Sequence, residues 1–428
     1  MILGLLGALC LLVGTLYLAP YHLRLPEFWE SRFTATSIRW MLWGSGALLL
    51  VHAGFLSAVQ QAPGLRTLRA AAGWIRERER VLVGSVRCCT PILAIAYAWL
   101  RFANNVEIEH ASLSELVAGT AWAPFQYRAL VPWIVAATDH LGLIEAGAHR
   151  AAFAVIEAGA AYLLVLAIER LLRLYYPRAT SALVAPMVFV PLLFTLATPF
   201  RSNPYLYPYD TPAVLFMALG LLLLLQRRWW LFYPLFALAT LNRETTCFLT
   251  VIYVLGSIGA EPWRRVAGHA AAQAAVWFAL KLSLVALYPG IPIEDRGAEA
   301  FVAQPLFISM AHRNIAFLSQ PLSYPYLVAS LGGVWVALAF YGHAVPSRAV
   351  RRSLLVALPF VAAMAYVGLL AEIRIFSELI PLFTLGYVLM LQGLAARTDA
   401  TEALKEAGID KAALRGARRA PALAGTPG

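Results

Sequence analysis

The chain has 428 residues, 61% of them hydrophobic and 13% charged, with a mean hydropathy of +0.69. A water-soluble domain carries about 45–50% apolar and 25% charged residues, so this composition excludes one and points to a protein that lives in lipid. The formal net charge of +11 is spread over many loops, whereas a nucleic-acid footprint would gather it on one face.

Apolar stretches long enough to cross a hydrocarbon layer roughly 30 Å thick recur along the chain. They predict spans near 2–19, 40–60, 83–103, 150–173, 180–200, 211–226, 229–242, 246–260, 268–288, 325–343, 353–371 and 378–395. The expected fold is therefore an all-α, polytopic transmembrane bundle of about twelve helices. The two spans flanking Arg227-Arg228 are short. Residues 2–19 lack a basic leader and a clear small-residue cleavage site, and so read as an uncleaved span. Cys10, Cys88, Cys89 and Cys247 fall in or beside spans, with no disulfide framework, CxxC pair or zinc pattern.

Orientation follows from lysine and arginine. With the amino terminus in the cytoplasm, most of the 34 basic residues fall in inner segments: Arg66 to Arg80, Arg170 to Arg178, Arg227-Arg228, Arg264-Arg265, Arg348 to Arg352, and the tail. Both termini are then cytoplasmic, and residues 104–149 and 290–323 form external loops. Within the first loop, Ala129 to Leu143 contains Asp139 and His140 and is too short to cross, so an interfacial helix is expected there, with another near Ser112 to Ala118. Four regions result: 1–82, two spans and a basic loop; 83–288, a core with the first external loop; 289–395, the second loop and last three spans; and 396–428, a tail whose Pro/Gly/Ala-rich end is expected to be disordered.

Arg128, Arg201, Arg243 and Arg374 sit at the outer ends of these segments, where isolated arginine is uncommon unless an anion must be held. Each has polar company: Gln126-Tyr127 before Arg128, Ser202-Asn203 after Arg201, Glu244 beside Arg243, and Glu372 before Arg374. Guanidinium matches phosphate oxygens with two parallel hydrogen bonds and keeps its charge in a partly dry pocket. Lys281 either joins them or snorkels to the interface. The competing reading is structural: Arg243 with Glu244, and Arg374 with a neighbouring helix, as internal ion pairs. Glu157 and Arg87 lie deeper in spans and are expected to be paired there. Tyr205, Tyr207, Tyr209 and Trp229-Trp230 read most simply as interface belts, and sugar stacking by the tyrosines is the minority alternative.

The loop order, together with Gln126-Tyr127-Arg128-Ala129-Leu130-Val131-Pro132, Tyr209-Asp210-Thr211-Pro212, Asn242-Arg243-Glu244-Thr245 and Glu372-Ile373-Arg374-Ile375-Phe376 with Pro381, resembles the GT-C superfamily of integral-membrane glycosyltransferases, specifically uncharacterised bacterial GT-C-like proteins. The likeness covers roughly residues 83–395. It implies a polyprenyl-phosphate sugar donor, an envelope lipid, glycan or protein as acceptor, and a place in the bacterial cytoplasmic membrane among its lipids. It also implies a base in the first external loop, where Glu107 and Glu109 stand; related sequences carry an aspartate in that loop, and no Asp precedes Arg128 here.

Asp210 is the competing base, although a carboxylate before Thr211-Pro212 also suits a helix N-cap. Glu107-Ile108-Glu109-His110 offers ligands for a divalent cation, or is a solvated turn, so metal need stays open. Two other functions remain in view: a transporter or flippase, for which matching halves with broken helices are expected but not evident, and an envelope polysaccharide polymerase.

Overall fold

A computed structural model describes residues 79–145, 148–197, 204–288, 310–320 and 323–406, with Ala47, Leu50, His52 and Glu77 as single positions before them. These residues are helical; the only strand-like pairings among them are two isolated bridges. The predicted spans at 2–19 and 40–60 lie outside the described residues except for three positions. One of those, His52, is buried and bridges the Tyr387 hydroxyl at 2.8 Å and the Gly332 carbonyl at 2.9 Å.

The first helix, α1 (Glu79–Asn104), runs its apolar length past Pro91. Two short helices follow. Leu113–Ala118 (α2) opens on a capping box in which Ser112 and Glu115 satisfy each other's backbone N–H groups, and Leu130–His140 (α3) occupies the stretch read as interfacial. Then come α4 (His149–Leu172) and α5 (Arg178–Ala197), the latter broken by 3₁₀ and π turns around Pro186 and Pro191. The shorter helices α6 (Asp210–Leu225) and α7 (Trp229–Asn242) flank Arg227, whose φ of 58° makes the turn between them. A 3₁₀ turn, Glu244–Cys247, leads into α8 (Phe248–Ser257), and α9 (Trp263–Leu287) follows. The short α10 (Ala311–Leu318) precedes three long runs, α11 (Ser323–Ala344), α12 (Arg348–Val367) and α13 (Ile373–Arg397, continuing to Glu406).

Seven of these, α1, α4, α5, α9, α11, α12 and α13, are long and apolar enough to cross a membrane. Their outward faces carry Ile92, Ile95 and Trp99 on α1, Phe278 and Leu282 on α9, and Leu355 and Leu358 on α12, all exposed. A soluble monomer does not present such surfaces, so the chain reads as a membrane protein. The span expected at 211–226 has 16 residues, that at 229–242 has 14, and α8 has 10, which leaves α6 to α8 shorter than a full crossing.

Helix α13 is the axis of the bundle, with 72% of its most apolar stretch buried against 17% for α9 at the rim. Close backbone approach is built in with glycine. A Cβ at Gly393 would stand 1.9 Å from the Ala344 carbonyl oxygen where α13 meets the end of α11, and one at Gly220 would meet Leu249 at 2.5 Å where α6 meets α8. α6 packs against both α4 and α7, so its first turn is surrounded by protein on every side.

Candidate functional site

The site is assembled by three chain reversals around the start of α6. Just beyond α1, Val106 pairs with the strand-like segment before α6: its N–H donates to Pro204 O at 2.9 Å, and Leu206 N–H donates to Val106 O at 2.7 Å. Asn105 adds bonds to Leu196 O and Tyr205 O, both at 3.2 Å, and Asn242 at the end of α7 donates to Tyr209 O at 3.0 Å. The first turn of α6 is thereby held in place. Asp210 is the first helical residue, after Tyr209, and its carboxylate makes no cap bond. This corrects the N-cap reading: the side chain is taken by arginines.

Asp210 is fully buried and meets three guanidinium groups. Arg101 reaches Oδ2 at 3.2 Å, Arg243 reaches Oδ1 at 3.0 Å and Arg374 lies 3.5 Å from Oδ1. Arg101 also donates to Tyr207 O at 2.7 Å and Thr211 Oγ1 at 3.0 Å, and it forms a short ion pair with Glu157, which also accepts from Thr211. Arg243 lies 2.9 Å from Glu378 Oε1 through Nε, an ion pair not aligned as a hydrogen bond. Arg374 donates to Glu372 Oε2 from Nε at 3.0 Å and from Nη2 at 2.7 Å, and its guanidinium lies 3.4 Å from the centre of the Tyr207 ring.

Arg243 and Glu244 do not pair with each other. Arg243 is extended, at φ −160° and ψ 134°, and successive side chains on extended backbone point to opposite faces. Arg243 turns to Asp210 while Glu244 turns to Arg128, accepting from Nε at 3.3 Å and from Nη2 at 3.0 Å. Arg128 also donates to the Tyr209 hydroxyl at 3.0 Å. Burial disfavours its charge, but Glu244 and Tyr209 outweigh that, and the guanidinium is held ionised well above the ordinary arginine range. Lys281 is buried on α9, its Nζ 4.6 Å above the Tyr127 ring and within electrostatic reach of Glu244.

A cavity of about 510 Å³ opens beside this cluster. Arg128, Arg243, Glu244, Glu372 and Arg374 line its charged end; Phe248, Val251, Phe278, Ala363, Met364 and Val367, from α8, α9 and α12, line its apolar body. Met310 closes one side, positioned by Asn314 of α10, which donates to Ala365 O at 2.8 Å and Gly368 O at 2.7 Å. Arg128, Arg243 and Arg374 therefore converge on one space. Gln126 and Tyr127 are buried behind the wall without lining it, and Arg201 lies outside the described residues.

The carboxylates that follow α1 sit elsewhere. Glu107 accepts from Leu113 N–H at 3.0 Å and Arg150 Nη1 at 2.8 Å, and Glu109 is exposed beside His110. His110 stacks on Trp122 with ring centres 3.9 Å apart. Glu107 thus turns away from the Glu109–His110 pair, and among the described residues no group of three or more His, Cys, Asp or Glu is placed to hold a metal ion. Tyr207 and Tyr209 correct the interface-belt reading, since both are buried among the arginines. Arg87 lies 4.0 Å from Glu169, and the partner of Glu157 is Arg101, a residue the sequence signals passed over. Its one clue was position: Tyr97 and Arg101 lie one turn apart on one face of α1, with Asn105 continuing the spacing just past its end.

Comparisons with family models, with curated proteins and with solved structures find no match.

Proposed function

We propose that this protein is a membrane glycosyltransferase of the GT-C kind, moving a sugar from a polyprenyl-phosphate donor to an envelope lipid, glycan or protein at the outer face of the bacterial cytoplasmic membrane. The observation that carries the reading is a cavity with three arginines at one end and an aliphatic and aromatic body at the other. An amphipathic ligand with one anionic head fits that division: its phosphate takes the guanidinium donors and its isoprenoid chain takes the apolar body. In the same reading α6 to α8, each short for a crossing, span where the bilayer thins locally and flanking side chains snorkel, as members of a roughly twelve-span bundle with both termini in the cytoplasm. The apolar body favours this over a polar-solute transporter, whose pathway must stay wet.

Transfer to an acceptor hydroxyl requires a leaving phosphate whose growing charge is met by fixed cations, and a base for the hydroxyl proton. Arg128, Arg243 and Arg374 supply the cations. The test is binding of polyprenyl monophosphate to the purified full chain in nanodiscs. Arg128→Gln or Arg374→Gln should weaken it, and weaken transfer, by about 2–4 kcal/mol, the scale of losing one donor to a developing oxyanion. Wild-type protein that binds a neutral polyprenol as well as the phosphate would end the proposal.

A further inference from the structure

The described cluster is balanced. Arg101, Arg128, Arg243, Arg374 and Lys281 face Glu157, Asp210, Glu244, Glu372 and Glu378, cation for carboxylate. With no formal surplus of positive charge among these described residues, a further anion is best accommodated when one carboxylate gives up its arginine. The carboxylates differ sharply in their freedom to do so. The side chains of Glu157, Asp210 and Glu378 are at most 1% exposed, and Glu372, 3% exposed, is gripped twice by Arg374 two residues along. Glu244 is 27% exposed, lines the cavity, and holds Arg128 through the two-bond arrangement that a phosphate would use.

We propose that Glu244 holds Arg128 where the donor's phosphate would and, once displaced by that phosphate, becomes the base that takes the acceptor's proton. This rests on the lipid-phosphate reading above. The main chain is fixed for such an exchange: Trp277 Nε1 donates to the Glu244 carbonyl at 2.6 Å, so only the carboxylate need change partners, with Lys281 within electrostatic reach. In the transfer, the acceptor oxygen bonds to the anomeric carbon and its proton passes to Glu244. The bond from that carbon to the phosphate oxygen breaks, and its electron pair stays on the phosphate. The product polyprenyl monophosphate carries one more negative charge, met by Arg128, Arg243 and Arg374.

The experiment compares wild type, Glu244→Gln and Glu244→Asp in nanodiscs, measuring binding of polyprenyl monophosphate and, in membranes containing the native acceptor, consumption of a polyprenyl-phosphate hexose. Removing the competing charge in Glu244→Gln should tighten phosphate binding by about three- to tenfold, the range for releasing a partly exposed ion pair. Turnover should fall by about 10²- to 10⁴-fold with loss of the base. Wild-type turnover in Glu244→Gln, or unchanged or weaker phosphate binding in that variant, overturns the proposal. Should Glu244→Gln not fold, Glu244→Asp keeps the charge but withdraws the base by one methylene, so phosphate binding with turnover lost supports the idea and wild-type turnover overturns it. Failure of wild type to prefer the phosphate over polyprenol sinks the lipid-phosphate reading and this inference with it; preference without the Glu244 effects sinks the inference alone.

Discussion

The charged cluster has a closed half and an open half, built from the same residue types to opposite ends. In the closed half Arg101, Glu157, Thr211 and Asp210 lie between α1, α4 and α6 without solvent, each charge answered by another. In the open half Arg128, Glu244 and Arg374, with Arg243 and Glu372, face a cavity whose body is largely apolar. A buried ion pair is weak support for stability, because desolvation cancels much of its attraction, yet breaking one is costly. The closed half therefore fixes where α6 begins, and with it where Arg243 and Arg374 stand, while the open half keeps groups that can change partners.

The strongest way to break this comparison is at Asp210. Asp210→Asn keeps the shape and leaves three guanidinium groups without their shared carboxylate, at an expected cost of about 3–5 kcal/mol. Thermal unfolding of the purified protein should show it; a melting temperature equal to wild type would mean the closed half is not the anchor described. Arg374→Lys probes the boundary between the halves. Lysine retains the charge but cannot hold Glu372 with two bonds while stacking on Tyr207, and losing one charged hydrogen bond of about 1.5–3 kcal/mol should lower transfer roughly tenfold or more. Full activity in that variant would remove the need for guanidinium geometry there.

A smaller effect is expected behind the cavity wall. Lys281→Met removes the ammonium from the Tyr127 face and should cost about 0.5–2 kcal/mol, read as a lowered denaturation midpoint with the helical content of the folded state unchanged. Least of all is expected from the loop carboxylate. Glu107→Gln loses a half-exposed pair with Arg150, worth about 0–1 kcal/mol, and should leave transfer within about twofold of wild type. Abolished transfer in a stable Glu107→Gln would return the base to the first loop and reverse the comparison.

Much of the helical plan was legible beforehand. The stretches at 83–103, 150–173 and 268–288 became α1, α4 and α9, because continuous apolar runs leave the backbone no partner but itself. The short helix near Ser112 was also legible, since a capping box is a local signal satisfied within one turn. Within the site, the arginines at 128, 243 and 374 stood out because charge at the end of an apolar segment is rare, and the three do line one cavity. Arg101 did not stand out. Lying in the last turn of α1, it resembled one more interface cation until the fold surrounded it.

By itself, the sequence determined the solvent this chain belongs in, the positions of its long helices and the residues carrying unusual charge. These are properties of composition and of contacts within a few residues. Only the tertiary structure decided which carboxylate answers which arginine: Glu244 with Arg128 across 116 positions, Glu157 with Arg101 across 56, and Glu378 and Asp210 sharing Arg243. The reason is physical: a guanidinium end of a helix is compatible with any acid that packing brings near. The helix crossings set by close approaches such as Gly220 on Leu249 choose among them.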